Sequence, residues 1–262
     1  MSTDTMISEV IKIKHALIPV VGLGTYKITG QRGIKSIEDA LQAGYRHIDS
    51  AQMYGNEEEV GKAVRNSGIE REKIFVTTKV WPSDFKRLIK SVEESLRKFK
   101  MDCVDLLLLH WPSDDESNKA AIDLLNETLK KKYTKNIGVS NFNFEQLKQA
   151  MTQAPVICNQ VEYHPYLSQE KMLKYLKQHD MLLTAYTPLA RGKVSEDKTL
   201  KTIGEKYSKT ASQVALRWLI QQGNVAVIPK ASSVERIKSN IDIFDFVLSD
   251  EDMKTIFKLN RK

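Results

Sequence analysis

Eight short runs of apolar, mostly branched residues recur along the chain, and a segment with helical spacing of apolar positions follows each run. Their near-continuous apolar interiors are typical of parallel strands that are covered on both faces. Eight alternating strand and helix units predict an α/β protein, a (β/α)8 TIM barrel, as one domain over residues 1–262. The runs lie at residues 19–25, 45–51, 74–80, 104–110, 136–142, 156–162, 181–187 and 225–230.

The segments between the runs have one apolar face and capping residues at their ends. Ile34, Ile37 and Leu41 fall on one helical face, and Gly44 ends that segment. Ser, Thr, Asn and Asp are favoured at helix N-caps, and an acid or Gln three residues later indicates a capping box. Helix starts of this kind are predicted at Asn56 (with Glu59), Ser168, Thr210 and Ser249 (with Asp252).

The two ends of the chain add little to the predicted barrel. Residues 7–19, "ISEVIKIKHALIP", predict a short hairpin before the first barrel strand, and a short tail follows the last helix. An open doubly wound sheet is the alternative fold. It is disfavoured because "GLGTYKITG" lacks the G-x-G-x-x-G spacing that such sheets place after their first strand.

The composition is that of a soluble globular protein, with 41% hydrophobic and 28% charged residues. The formal net charge of +7 fits either a lysine-rich solvated surface or an anionic partner. The densest basic run, "KKKYTK" at 130–135, is predicted at a helix end, where lysines suit the helix dipole. No nucleic-acid motif accompanies it, so a phosphorylated cofactor is the expected anion.

Two cysteines, Cys103 and Cys158, lie at or inside apolar runs and are interpreted as small buried hydrophobes. The five histidines are scattered, and no metal-binding spacing is present. The N-terminus lacks the apolar region of a signal peptide, and no run is long enough to span a membrane. A cytoplasmic location is therefore expected, and a monomer is expected because no long exposed apolar helix is evident.

Titratable side chains stand where three consecutive predicted strands end. Asp49 ends the second run, with Tyr54 in the loop after it, and Lys79 and His110 end the third and fourth runs. The active site of a barrel enzyme lies at this end of its strands. Taken singly, each residue has an ordinary structural explanation, such as a turn cap or rim packing. Their conjunction is better explained as a site, because burying charge costs several kcal/mol unless it is paired.

These four side chains suggest carbonyl chemistry. Asp49 and Lys79 are expected to form a buried ion pair, whose ammonium group would lower the pKa of Tyr54 from about 10. Tyr54 would then exchange a proton with substrate near neutral pH. A neutral His110 would donate a hydrogen bond to a carbonyl oxygen. The set has no hydride source, so a cofactor must supply one.

Five motifs in order resemble the aldo-keto reductase family, over about residues 22–246. They are "GYRHIDSAQMYGNEEEVG", "LLLHWP", "IGVSNFN", "NQVEYHPYL" and "IPKASSVERIKSN". Within that family, the short chain resembles the bacterial 2,5-diketo-D-gluconate reductase group, in particular the B-type enzymes credited with methylglyoxal reduction. The resemblance implies NADPH-dependent carbonyl reduction on a (β/α)8 barrel. It implies that Tyr54 is the general acid, that Asp49 and Lys79 tune it, and that His110 orients the substrate.

The resemblance also implies a set of cofactor contacts. Ser140, Asn141 and Gln160 match positions that hold the nicotinamide carboxamide, and Tyr186 matches the aromatic ring that stacks on the nicotinamide. Ala231 departs from the serine common in the family, which removes one hydroxyl contact to the 2′-phosphate, and Ser232 is the candidate to compensate. The remaining positions implied to bind the cofactor are Gly24, Thr25, Leu189, Lys230, Ser233, Arg236 and Asn240.

Substrate contacts are implied at Tyr26, Trp81, His110 and Trp111. The loop after the fourth strand and the C-terminal tail are short, so an open, shallow pocket is expected. Such a pocket suits small dicarbonyls and keto-sugars better than steroids. Two other functions are weighed: a barrel aldolase that uses Lys79 as a Schiff-base nucleophile, and a barrel that binds NADPH without catalysis. The retained Asp49, Tyr54, Lys79 and His110 argue against the second.

Overall fold

The N-terminal hairpin closes one end of the molecule. The computed structural model describes residues 9–261. Strands β1 (Val10–Ile13) and β2 (Ala16–Pro19) pair antiparallel, which confirms the predicted hairpin except at residues 7 and 8, which lie outside the described range. Ile13 and Ile18 are buried in one cluster with strand residues such as Leu106. The hairpin therefore covers the floor of the barrel.

Eight parallel strands form the barrel, as predicted. Neighbouring strands along the chain are neighbours in the sheet, and Val21 bridges to Val227 to join its first and last strands. Each predicted run contains one strand, and the loop residues beside it make the run longer than the strand. The strands are β3 (Leu23–Gly24), β4 (His47–Asp49), β5 (Phe75–Val80), β6 (Leu106–Leu109), β7 (Ile137–Ser140), β8 (Cys158–Glu162), β9 (Leu182–Tyr186) and β10 (Val225–Val227).

At least one helix follows each barrel strand and packs its apolar face inward. Two helices follow β9, and two helices follow β10. The helices are α1 (Gly30–Gln42), α2 (Glu57–Asn66), α3 (Leu88–Phe99), α4 (Asp115–Lys130), α5 (Phe144–Gln153), α6 (Glu170–Gln178), α7 (Lys198–Tyr207), α8 (Ala211–Gln221), α9 (Val234–Ile241) and α10 (Asp250–Phe257). The basic run at 130–135 follows the end of α4, as predicted.

The predicted caps have mixed outcomes. Thr210 caps α8 in a complete capping box, and Ser249 accepts a hydrogen bond from the Asp252 backbone N–H at the start of α10. The predicted cap at Ser168 is one residue too early, because Gln169 is the N-cap of α6, although the Ser168 hydroxyl accepts from the Glu170 backbone N–H. The capping box at Asn56 is wrong. Asn56 occupies the N-cap of α2, but its side chain makes no capping hydrogen bond.

Both cysteines are free thiols. Cys158 is buried in β8, as predicted, whereas Cys103 is partly exposed and lies outside the strands. Within the described range, the acidic, histidine and cysteine side chains form no group able to hold a metal ion. No helix between residues 9 and 261 is both long and apolar enough to cross a membrane.

Candidate active site

The four titratable side chains singled out in the sequence lie together at the carboxyl ends of β4, β5 and β6. Asp49 is the last residue of β4, and a 3-10 turn at 52–54 then carries Tyr54. Lys79 lies one residue before the end of β5, and His110 directly follows β6. The carboxyl ends of consecutive parallel strands lie at one edge of the barrel. Backbone hydrogen bonds between neighbouring strands fix their register, so the side chains at these ends meet.

Asp49 and Lys79 form a buried ion pair beneath the site. Lys79 Nζ lies 2.5 Å from Asp49 Oδ1 and donates to the Ser50 carbonyl over 2.7 Å. The side chain of Lys79 is 0% exposed and that of Asp49 is 1% exposed. Burial by itself would lower the pKa of Lys79, but Asp49 and Tyr54 outweigh it and raise that pKa. Lys79 therefore carries its positive charge at neutral pH.

Tyr54 lies above the ion pair. Lys79 Nζ is 5.1 Å from the centroid of the Tyr54 ring, and the rings of Tyr54 and His110 are 5.8 Å apart between centroids. Burial raises the pKa of Tyr54 above its ordinary value, and the neighbouring Lys79 offsets only part of that rise. The predicted lowering of this pKa is thus wrong, because the sequence does not show how deeply the phenol is buried. Tyr54 keeps its proton at neutral pH.

His110 is neutral in this site. Burial, with a further contribution from Lys79, lowers the pKa of His110 to about 3. Its Nδ1 atom is buried without a hydrogen-bond partner among the described residues, and Trp81 packs edge-on against the ring with centroids 5.0 Å apart. A neutral imidazole has one N–H donor and one acceptor, so His110 is able to donate to a carbonyl oxygen.

A chain of hydrogen bonds joins the ion pair to the positions expected to hold the nicotinamide. Gln160 Nε2 donates to Asp49 Oδ2 over 2.9 Å, and the Ser140 hydroxyl donates to the Gln160 carbonyl over 2.9 Å. Asn141 Nδ2 donates to Ser140 Oγ over 3.1 Å and also to the His110 carbonyl. The Tyr186 hydroxyl donates to Asn141 Oδ1 over 2.9 Å. These polar groups are therefore held in fixed orientations at the barrel mouth.

One cleft of about 1420 Å³ runs across the barrel mouth from Tyr54 and His110 to Lys230 and Arg236. Most of the residues expected to bind cofactor or substrate line it. They are Gly24, Thr25, Tyr26, Trp111, Ser140, Asn141, Gln160, Tyr186, Leu189, Lys230, Arg236 and Asn240, together with Asp49, Tyr54 and His110.

Three of the expected contact residues do not line the cleft. Trp81 lies behind His110, against which it packs. Ser233 caps α9, and its hydroxyl accepts a hydrogen bond from Arg236 Nε over 3.1 Å. The Ser232 carbonyl accepts a hydrogen bond from the Ser36 hydroxyl. Ser233 thus orients Arg236, whereas nothing in the structure directs the side chain of Ser232 toward the cleft.

Sequence reasoning missed several residues of the cleft. Lys27 and Lys201 add positive charge along its length, and Met53 and Glu162 border the end near Tyr54. Arg191 adds a further positive charge, and it belongs to the segment at 188–192 that the family resemblance implies to lie against the pyrophosphate. The sequence offers one signal for Lys27 and Met53, because each is adjacent to a predicted site residue, Tyr26 or Tyr54. The cleft has aligned amide groups at one end and basic side chains at the other. These donors fit an elongated, phosphorylated dinucleotide with a neutral amide at one end.

The comparisons with known proteins agree with this geometry. The model of the Aldo/keto reductase family matches residues 20–261, so the chain belongs to that family of oxidoreductases, which use a nicotinamide cofactor on carbonyl or alcohol groups. The chain is 38% identical to the glyoxal reductase of Bacillus subtilis, over 98% of this chain and 95% of that protein. It is 39% identical to methylglyoxal reductase DkgB of Yersinia pestis, over 93% and 94% of the two chains.

A solved structure is similar along nearly the whole chain. It is the crystal structure of a protein provisionally named 2,5-diketo-D-gluconic acid reductase B, with a TM-score of 0.94 and 45% sequence identity. The match covers 97% of this chain and 92% of that one. The chain is therefore a (β/α)8-barrel oxidoreductase with reductases of small dicarbonyls among its relatives.

Proposed function

We propose that this protein reduces small carbonyl compounds to alcohols with NADPH, and that Tyr54 is the proton donor. The buried Asp49–Lys79 pair beneath a protonated Tyr54 carries the proposal. A charged lysine held below a phenol stabilises the phenolate that remains after the proton is given up. An ion pair with a purely structural role would not need a phenol beside it that lines a large cleft.

Each of the four residues has one task in the proposed reaction. His110, being neutral, donates its N–H to the carbonyl oxygen and fixes the orientation of the substrate. Tyr54 transfers its phenolic proton to that oxygen as charge develops on it. Lys79 stabilises the resulting phenolate, and Asp49 keeps Lys79 charged and in place. The bound nicotinamide supplies the hydride for the carbonyl carbon.

The basic end of the cleft supports a preference for NADPH over NADH. Lys230 and Arg236 line this end, and Ser233 orients the guanidinium group of Arg236. Arginine and lysine are suited to bind a phosphate, arginine as a bidentate fork. Ala231 is buried and offers no hydroxyl group. The two cations therefore provide the proposed recognition of the 2′-phosphate, with Asn240 near the adenine.

The rim of the cleft supports a small substrate. Tyr26, Met53 and Trp111 are 49%, 47% and 43% exposed, so the mouth beside Tyr54 is open to solvent. The loop that joins β6 to α4 contains only residues 110–114, of which His110 and Trp111 line the cleft. Relatives named glyoxal and methylglyoxal reductases point in the same direction. We therefore propose dicarbonyls such as methylglyoxal and keto-sugars such as 2,5-diketo-D-gluconate as substrates, ahead of steroids.

The deciding experiment compares wild type with Tyr54→Phe in NADPH oxidation assays. Methylglyoxal, 2,5-diketo-D-gluconate and an aromatic aldehyde serve as substrates, and Tyr133→Phe, on the outside of the barrel, is the matched control. Loss of general acid catalysis lowers the rate by roughly 10²–10⁴-fold. We expect this loss for Tyr54→Phe with NADPH binding retained, and none for Tyr133→Phe. A Tyr54→Phe variant that keeps most of its rate would refute the proton-donor role.

The same site argues against the aldolase alternative. A Schiff-base lysine needs its neutral amine, whereas Asp49 and Tyr54 raise the pKa of Lys79. Borohydride treatment in the presence of a carbonyl substrate is therefore expected to leave no covalent adduct on Lys79, as mass spectrometry of the tryptic peptide would show. NADPH binding without turnover of any carbonyl would instead support the non-catalytic barrel.

A further inference from the structure

Asn56 stands at the N-cap of α2 but does not act as a cap. Residues at this position normally adopt extended backbone and accept a hydrogen bond from the first turn of the helix. Asn56 instead has φ of −126° and ψ of 20°, and its side chain makes no bond to the first turn. The preceding Gly55 has φ of 63°, a left-handed conformation that glycine adopts without a steric penalty. This turn directs the Asn56 side chain away from its helix.

The Asn56 side chain makes three hydrogen bonds, and two of them join the loop at 50–56 to the loop at 25–29. Its Nδ2 group donates to the carbonyls of Thr25, over 2.8 Å, and Ile28, over 2.9 Å. Its Oδ1 atom accepts from the Ser50 hydroxyl over 2.9 Å. The residue is 0% exposed, so water does not compete for these bonds.

The two loops that Asn56 joins carry neighbouring aromatic residues of the cleft. The loop at 25–29 carries Tyr26, and the loop at 50–56 carries Tyr54. Their rings lie 5.1 Å apart between centroids. Beside this contact, the Thr25 N–H and hydroxyl both donate to the Asp49 carbonyl. Glu59, one turn along α2, also accepts from the Gly30 N–H.

We propose that Asn56 is a positioning residue that holds the Tyr54 turn against the Tyr26 loop. It fixes the phenol of Tyr54 above Lys79 and keeps the Tyr26 ring packed against Tyr54 at the edge of the cleft. The inference rests on the proposed function, because Tyr54 is the group whose position matters. A helix cap is given up for this purpose, and three acidic residues in the first turn, Glu57, Glu58 and Glu59, favour the helix start electrostatically.

The test uses Asn56→Ala and Asn56→Asp. Alanine removes all three bonds, whereas aspartate keeps the acceptor for Ser50 and removes both donors. Asn136→Ala is the matched control, since Asn136 is a buried asparagine that donates to the Asp105 carbonyl at the opposite end of the barrel. A displacement of about 1 Å in a reacting group costs roughly 10²-fold in rate. We expect both Asn56 variants to lose kcat on this scale, more than they lose NADPH affinity, and to show a larger solvent isotope effect.

A second measurement does not depend on activity. In protein labelled with 3-fluorotyrosine, the ¹⁹F signals of Tyr26 and Tyr54 are assigned by their absence from Tyr26→Phe and Tyr54→Phe. Both signals are expected to move in Asn56→Ala and to stay in place in Asn136→Ala. Unchanged signals in a folded Asn56→Ala variant would overturn the proposal. Wild-type protein that reduces no carbonyl would refute the proposed function, while the fluorine spectra would still decide the role of Asn56.

Discussion

Gln160 and Asp49 share a hydrogen bond of 2.9 Å between Nε2 and Oδ2, while the other oxygen of Asp49 accepts from Lys79. One carboxylate thus contacts both a position expected to hold the nicotinamide carboxamide and the ion pair below Tyr54. Because one N–H of the Gln160 amide is committed to Asp49, its Oε1 atom and its second N–H are the groups left to bind a ligand. Changes at Gln160 are therefore expected to affect both cofactor binding and proton transfer.

Gln160→Glu places a second carboxyl group beside Asp49. We expect a lower kcat at neutral pH, because two adjacent carboxylates repel each other and the N–H donor is lost. The repulsion and burial raise the pKa of the new carboxyl group. Below that pKa its O–H donates to Asp49 again, so the ratio of variant to wild-type kcat should rise as pH falls. Measured pH profiles test this, with Gln178→Glu at the exposed end of α6 as control; a flat ratio would contradict it.

Lys79→Met leaves the carboxylate of Asp49 buried without its cationic partner. Removing one member of a buried ion pair typically costs about 3–5 kcal/mol of unfolding free energy. We expect that loss in urea unfolding, together with loss of kcat. The double variant Asp49→Asn/Lys79→Met should recover most of the stability but none of the activity. Equal stabilities of the single and double variants would show that Asp49 is satisfied by Gln160 alone.

The neutral state of His110 makes folding stability depend on pH. Its pKa is about 6.5 in the unfolded chain and about 3 in the folded protein. Above pH 6.5 both states are neutral, so His110 contributes no pH dependence. As pH falls from 6.5 toward 3, only the unfolded state takes up the proton. The free energy of unfolding should then fall by about 1.4 kcal/mol per pH unit from this group.

The variant His110→Asn isolates that contribution. Its free energy of unfolding, measured by urea titration from pH 7 to pH 4, should decline less steeply than that of wild type. Parallel slopes for the two proteins would mean that folding does not lower the pKa of His110, so that the folded protein also takes up the proton near pH 6.5. That result would limit the neutral hydrogen-bond donor of the proposed mechanism to pH values above about 6.5.

Arg236→Met tests the recognition of the 2′-phosphate. A hydrogen bond to a charged group contributes about 1.5–3 kcal/mol, which corresponds to roughly 10- to 150-fold in affinity. We expect the Kd of NADPH to rise by this factor and the Kd of NADH to stay unchanged, as measured by protein fluorescence quenching. Lys238→Met, an exposed cation on the same helix α9, is the control. Equal losses for both cofactors would place Arg236 away from the 2′-phosphate.

The fold was predictable because buried parallel strands leave a strong pattern in the sequence. Each barrel strand lies inside one apolar run, and the order of runs is the order of strands in the sheet. The strand limits were not predictable, since the loops beside β3 and β10 are also apolar. The gathering of Asp49, Lys79 and His110 was predictable for the same reason, because each interrupts or ends an apolar run.

The sequence did not show in which direction these side chains point or how deeply they are buried. Asn56 has the residue type and spacing of a helix cap, and only the backbone turn at Gly55 directs it elsewhere. The pKa of Tyr54 is the balance of burial against the charge of Lys79, and neither quantity is visible in one dimension. The bond between Gln160 and Asp49 joins residues 111 positions apart. Such contacts emerge only when the barrel closes.

The hairpin of β1 and β2 also determines how molecules travel to and from Tyr54. Since its buried residues fill the floor of the barrel, the cleft at the opposite end is the entrance that the described residues leave for the proposed substrate and dinucleotide. A dinucleotide lying along the cleft would form the inner wall of that entrance. Under the proposed function, a carbonyl compound that arrived first would stand in the path of the cofactor, so we expect the dinucleotide to bind first and to leave last.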